Sequence, residues 1–430
     1  MTRALPSGHR FWASARPGVA TATALVAIIS VAAACGDSNG ENPATGISAT
    51  ATVEPTSGTA GGTGPAEGTN PPATANPGSR DPDPAGTSTP QGDTTADPIP
   101  ATPTPLPAPI EPLTGEPLDD PSIMGRPALA VKTGTSSVGR PQTGINQADI
   151  LIEVRVETIT RLLAVFHSQG VEPLGPVRSA RSSDPDILAN FSRPVFGHSG
   201  ANPGVLREVA QGEAGGKLHE LRWDDLPTGY WRVRDRVPPF NLYTTTSALW
   251  KAAPSHLQAP EPLFQYRKQG DALPPAAEPV PGVEIRYLGG TIAHFVWDAE
   301  AGSWARWQDG TPHVDMARNP DGTPDPEADP VQIAPANVVV LQTRYTSSAP
   351  CPSCPQAITV DPEGGTALVF TDGHLIRGRW TRPSANRSWQ VTGNDGNPVR
   401  LTPGQTFIAL PGGDVLVMVE SFAKNLLKKR

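Results

Sequence analysis

The chain has 430 residues, 42 acidic against 34 basic side chains, and a formal net charge of −8. That balance leaves no basic footprint for nucleic acid or for an anionic membrane surface. The 51 prolines and 43 glycines exceed globular usage and are unevenly spread, so segments of different character are expected.

Residues 1–34 carry Arg3, Arg10 and Arg16, no acid, and an apolar run from Ala22 to Ala34. A charged start followed by an apolar stretch too short for a confident membrane span is the pattern of an export signal. The run ends in VAAAC-G, which resembles a bacterial lipoprotein junction and implies lipid attachment at Cys35. Ala32 stands where that pattern prefers leucine, so an ordinary secretory signal is the alternative. Cleavage before Cys35 removes three arginines and takes the charge from −8 to −11. A lipid on Cys35 would then supply the membrane contact and hold the protein outside the cytoplasm.

Residues 35–112 are dominated by Thr, Pro, Ala, Gly and Ser, and Arg80 is their one basic residue. Such a stretch buries too little apolar surface to offset the entropy of ordering, and a disordered tether is expected. Residues 113–258 read as a mixed α/β domain. Strands are expected at Pro127–Thr133, Ile150–Val156 and Thr160–Ser168, from their branched and aromatic content. Helices are expected from Asn202-Pro203 to about Gly212, and over Thr244–Ala253.

Between these lies LGPVRSARSSDPDILANFSRPVFGHSG, from Leu174 to Gly200. Pro176-Val177-Arg178 reads as an extended entry, Ser182 or Ser183 as a helix cap, and Pro194-Val195-Phe196 as a buried strand. Gly197-His198-Ser199-Gly200 reads as the loop leaving that strand. A strand–helix–strand return would set the two strand ends side by side, bringing Arg178 and Arg181 near His198. Guanidinium forks and an imidazole suit an anion such as phosphate or carboxylate. With Ser199, Arg161 and Glu157 they form the candidate binding site. The plainer reading pairs the arginines with Asp184, Asp186 or the glutamates. Glu153, Arg155 and Glu157 share one side of a strand, either as an acid–base pair or as a solvated face.

Residues 259–282 are proline-dense and read as an interdomain connection. From 283 to 424 short apolar and alternating runs separated by Gly-containing turns, such as Thr371-Asp372-Gly373-His374, indicate a mostly antiparallel β domain. The expected class is therefore α+β. Cys351-Pro352-Ser353-Cys354 lacks the further ligands zinc needs, and its prolines argue against a redox helix, so a local disulfide in a loop is expected. No metal site, cofactor motif or catalytic constellation can be assembled.

Several strings resemble the YerB-like lipoproteins, a bacterial family without an assigned function. They include RPQTGINQADILIEVRVE, LGPVRSARS, FGHSGA and RDRVPPFNLY in the first part, and HVD at His313–Asp315, GTALVFTDG and LTPGQTFIAL in the second. The resemblance spans roughly residues 113–420. Pro239-Phe240-Asn241 departs from the family's Pro-His-Asn. Taken together, a lipid-anchored envelope module binding an anionic wall ligand or a protein partner is expected. The alternative is an envelope hydrolase of a phosphorylated or glycan substrate, using Glu153, Glu157 and His198.

Overall fold

The hairpin of β2 (Ile150–Val156) and β3 (Ile159–Phe166) forms the middle of the N-terminal half. Both strands are rich in branched residues and carry almost no exposed position, which suits strands covered on two faces. The computed structural model describes residues 109–429 except 119 and 269. The export signal, the tether and Cys35 thus lie outside the described residues, apart from the tether's last positions at 109–112.

An 11-stranded sheet runs through the molecule. β1 (Leu129–Gly134) pairs antiparallel with β3 and parallel with β4 (Val195–His198), which pairs parallel with β5 (His219–Arg222). On its other side β2 lies parallel to Thr406–Leu410, which lies parallel to Asn337–Leu341. Asp361–Thr371, His374–Arg382 and Gln390–Gly393 then continue antiparallel. Strands from 113–258 and from 283–424 therefore belong to one sheet. A second, five-stranded antiparallel sheet contains Gly282–Tyr287, Ile292–Asp298, Ser303–Gln308, Thr311–Pro312 and Gly412–Val417. The class is broadly α+β with few helices, and the second half is mostly antiparallel, as its alternating runs imply.

Alternation sorts the core into two layers. Leu129, Val131, Leu151 and Phe407 face Val283, Phe295 and Trp304 of the second sheet. Ala130, Ile152, Val154, Leu163 and Val165 face α1 (Asp184–Leu188) and α2 (Pro203–Ala214), through Ile187, Leu188, Val205 and Val209. α2 begins as its sequence requires: Asn202 accepts from the amide of Val205, Pro203 opens the first turn, and Gly215 follows the last. The hairpins at Asp309-Gly310 and Asp372-Gly373 have both central residues in the left-handed region, the geometry that matches strand twist.

Three expectations change. The strand–helix–strand unit is β4–α2–β5, one element later than the sequence suggested. The GPVRSAR segment is not a strand but a crossing ribbon, bonded through Val177 to Leu242 and through Arg178 to Lys132; Pro176 brings no amide donor that could extend a ladder. The connecting residues 259–282 pack against the core: Leu263 and Phe264 are buried, and Gln265–Tyr266 pairs with Arg400–Leu401. Cys351 and Cys354 lie in the strand Cys351–Ala357, paired with Tyr345–Ser348, and their sulfurs are bonded.

Candidate functional site

The site is assembled at the turn end of the β2–β3 hairpin. Arg161 alternates with Leu163 and Val165, so it faces the helical layer, where it is 5% exposed. Glu157 sits in the two-residue turn with φ at 37°, a conformation that sends its carboxylate outward beside the incoming ribbon. The ribbon is tied by backbone bonds on both sides: the amide of Arg178 donates to Lys132, that of Ser199 to Arg178, and that of Ala180 to Gly200. These bonds bring Arg161, Arg178, Arg181, Ser199 and Glu157 together.

Their side chains differ in how they are satisfied. Arg181 grips Glu157 with two donors, at 3.0 and 3.2 Å, and gives a third to Ala180 O. Arg161 donates to Ser179 O, and its Nε is buried without a partner. Arg178 donates to Pro239 O at 2.6 Å and lies 4.5 Å from the ring of Phe240. The ring is thus an apolar wall for a guanidinium. Two of the three arginines end on neutral carbonyls. Burial, then the charges of Arg181 and Arg178, push Arg161 down to about 9. Burial and then Arg181 also lower Arg178.

His198 does not join them. It is the last residue of β4 rather than part of a loop, is fully buried, and stacks on Phe196 at 4.7 Å. Its Nε2 is 2.9 Å from Glu220. Side-chain alternation puts it on the face of the arginines, but its ring is spent on that pair. The plain reading holds for Arg181, which pairs with Glu157, but the two aspartates pair with lysines. Asp184 binds Lys132 at 2.6 Å, both fully buried, and Asp186 binds Lys217. The lysine inside the apolar run PALAVKT was the signal for the first pair.

Glu153 is not on a solvated face. It points between the sheets and is fully buried. It accepts from Thr160 Oγ1 at 2.6 Å and from Arg306 of the second sheet at 2.8 Å. Arg306 also donates to His313 Nδ1, which fixes the tautomer so that His313 Nε2–H donates to Gln142, whose amide donates to Gly134 O. Sequence reasoning passed over Arg306, His313 and Gln142, although HVD and RPQTG both stood among the matching strings. It also passed over a buried cluster at the start of the described chain. Glu111 binds His167 Nδ1 at 2.7 Å, and Asp149 accepts from the amides of His167 and Ser168. Burial, then Glu111, raises Asp149. No cluster of three His, Cys, Asp or Glu able to hold a metal exists among the described residues.

Family models match the chain twice. "Protein of unknown function (DUF3048) N-terminal domain" covers residues 113–258 and the DUF3048 C-terminal domain covers 283–408. A protein of Bacillus subtilis (strain 168) named "Putative lipoprotein YerB" is 30% identical over 307 residues, 69% of this chain and 84% of that one. The crystal structure of the YerB protein from Bacillus subtilis matches with a TM-score of 0.57 at 25% identity, covering 71% of this chain and 99% of the other. With both halves of the sheet inside the matched segments, the chain belongs to the DUF3048 family of YerB-like proteins, a family of unknown function.

Proposed function

We propose that this protein is a lipid-anchored, extracytoplasmic module that binds an anion at Arg161, Arg178 and Arg181 and carries out no chemistry on it. The observation that carries this reading is the charge balance of the cluster: three guanidiniums meet one carboxylate, Glu157, while Lys132 and Asp184 neutralise each other beside them. Arg161 and Arg178 are held in place by carbonyl oxygens, so their charge is positioned but not cancelled. An anion relieves the mutual repulsion that burial and like charge impose on them, and it gives the buried Nε of Arg161 an acceptor. The name of the Bacillus relative and the VAAAC-G junction support the anchor at Cys35, with the membrane as partner and an envelope protein or anionic wall component as ligand. The acid–base alternative finds less support, because Glu153 is sealed against Arg306 and His198 is buried against Glu220.

The test is calorimetric titration of the full chain, as Cys35→Ala, with inorganic phosphate, pyrophosphate and citrate. Binding of at least one is expected, and Arg161→Gln and Arg178→Ala should each weaken it by about ten- to a hundredfold, the cost of a lost charged hydrogen bond. Equal affinity in both variants, or no binding at millimolar anion, overturns the proposal.

A further inference from the structure

Two clefts of about 540 and 360 Å³ adjoin at Ser388, away from the arginine cluster. Both fall in the size range of ligand sites, roughly 300–1,000 Å³. Together they form a groove whose walls come from residues 189–193 after α1, from 215–217 after α2, from 261–265 and from 385–392. We propose that this groove binds an acidic oligosaccharide, with its sugar hydroxyls on the amide and hydroxyl side chains of one end and its acid group on the cations of the other.

The backbone argues for side-chain recognition. Gln390–Gly393 is the last strand of the large sheet, and a free edge there would invite an extended peptide. That edge is already used, since Val399 N donates to Val391 O and Gly393 N to Asn397 O. Gln265–Tyr266 on the facing wall is likewise taken, by Arg400–Leu401. What remains for a ligand at this end is Gln265, Gln390, Thr392 and Ser388, neutral groups that both donate and accept. Trp389 and Phe264 lie beneath them, 3% and 7% exposed, as an apolar floor sunk too deep to stack nucleic-acid bases.

The other end is charged. Arg193 and Lys217 line it against Glu261, Lys217 shares Asp186, and Arg387 stands in the adjoining cleft next to Ser388, where the two meet. The Nε of Arg193 is buried and has no partner. Arg193 and Ser192 are consecutive non-glycine residues in the left-handed region, with φ of 63° and 54°. Strain of that kind persists where surrounding structure enforces it, and here Ser192 Oγ accepts from the amide of Glu261 across the cleft. The turn thus fixes Arg193 at the rim where an acid would sit.

The probes are a hyaluronan hexasaccharide, which alternates uronic acid and N-acetylglucosamine, neutral chitohexaose, and inorganic phosphate. They are titrated against the full chain carrying Cys35→Ala. The acidic glycan should bind at least about tenfold more tightly than the neutral one, and saturating phosphate should not displace it. Arg387→Ala should weaken the acidic glycan about tenfold and leave chitohexaose unchanged, whereas Gln390→Ala should weaken both. Arg178→Ala, which addresses the other site, should alter neither. No binding of the acidic glycan at millimolar concentration, equal binding by the two variants and the parent, or loss of glycan binding in Arg178→Ala overturns the proposal.

Discussion

Removing either member of the Glu153–Arg306 pair should destabilise the whole molecule, and removing both should not. The two side chains are fully buried and come from the two facing sheets, one from each half of the chain. Glu153→Leu strands the guanidinium of Arg306 among Phe295 and Phe407, whose rings lie 5.6 and 5.2 Å away, with only His313 and Gln308 as acceptors. Arg306→Met leaves the carboxylate of Glu153 without a cationic partner, held by the hydroxyl of Thr160. An uncompensated buried charge costs about 3–5 kcal/mol. The double variant restores an apolar layer, so it should be within about 1–2 kcal/mol of the parent and more stable than either single one, a coupling of several kcal/mol. Urea unfolding followed by tryptophan fluorescence reads this directly, since Trp304 and Trp380 are buried in the two sheets. Because β2 and Thr406–Leu410 are neighbouring strands, the two halves should lose structure in one transition. Single variants costing under about 1 kcal/mol, additive effects in the double variant, or separate unfolding of the halves would refute the reasoning.

Burial raises Asp315 to about 6 despite the amides of Gly144 and Asn146 that it accepts, so the folded protein holds this proton more tightly than the unfolded chain. Its contribution to stability is therefore largest at low pH and declines as pH rises from about 4 to 6, by at most roughly 1.4 kcal/mol per unit. Subtracting the Asp315→Asn stability profile from that of the parent should recover this slope, and a flat difference would contradict it. Reduction of Cys351–Cys354 should change the melting temperature little, because the closed loop is only four residues and constrains the unfolded chain weakly; a fall of ten degrees would be inconsistent with that. Cys35→Ala should move the protein from the membrane fraction to the soluble one, and unchanged fractionation would remove the lipid anchor from the reading.

Much of the local structure was legible before any coordinates. Branched runs gave β1, β2 and β3 to within a few residues, Asn202-Pro203 gave the start of α2, and the Asp-Gly pairs gave tight hairpins. These features depend on neighbours in sequence: a proline's fixed φ, a cap's reach to the third amide, the left-handed tolerance of Gly. The expected convergence of Arg178 and Arg181 on His198 did not form: Arg181 meets Glu157 of the β2–β3 turn, and His198 pairs with Glu220.

What depended on distant segments was not visible. Glu153 looked like a solvated residue because its partner, Arg306, lies 153 positions later. His198 looked like a loop residue because nothing local announces Glu220 across the β4–β5 crossover. That the two halves share one sheet was not visible, because no property of Ile150–Val156 shows that its neighbour is Thr406–Leu410. A strand's side chains state that it is covered on both faces, but the hydrogen bonds along its edges are the same for every sequence. Which strands lie side by side was decided by the burial of both sheets together, and with it the surroundings of each charge.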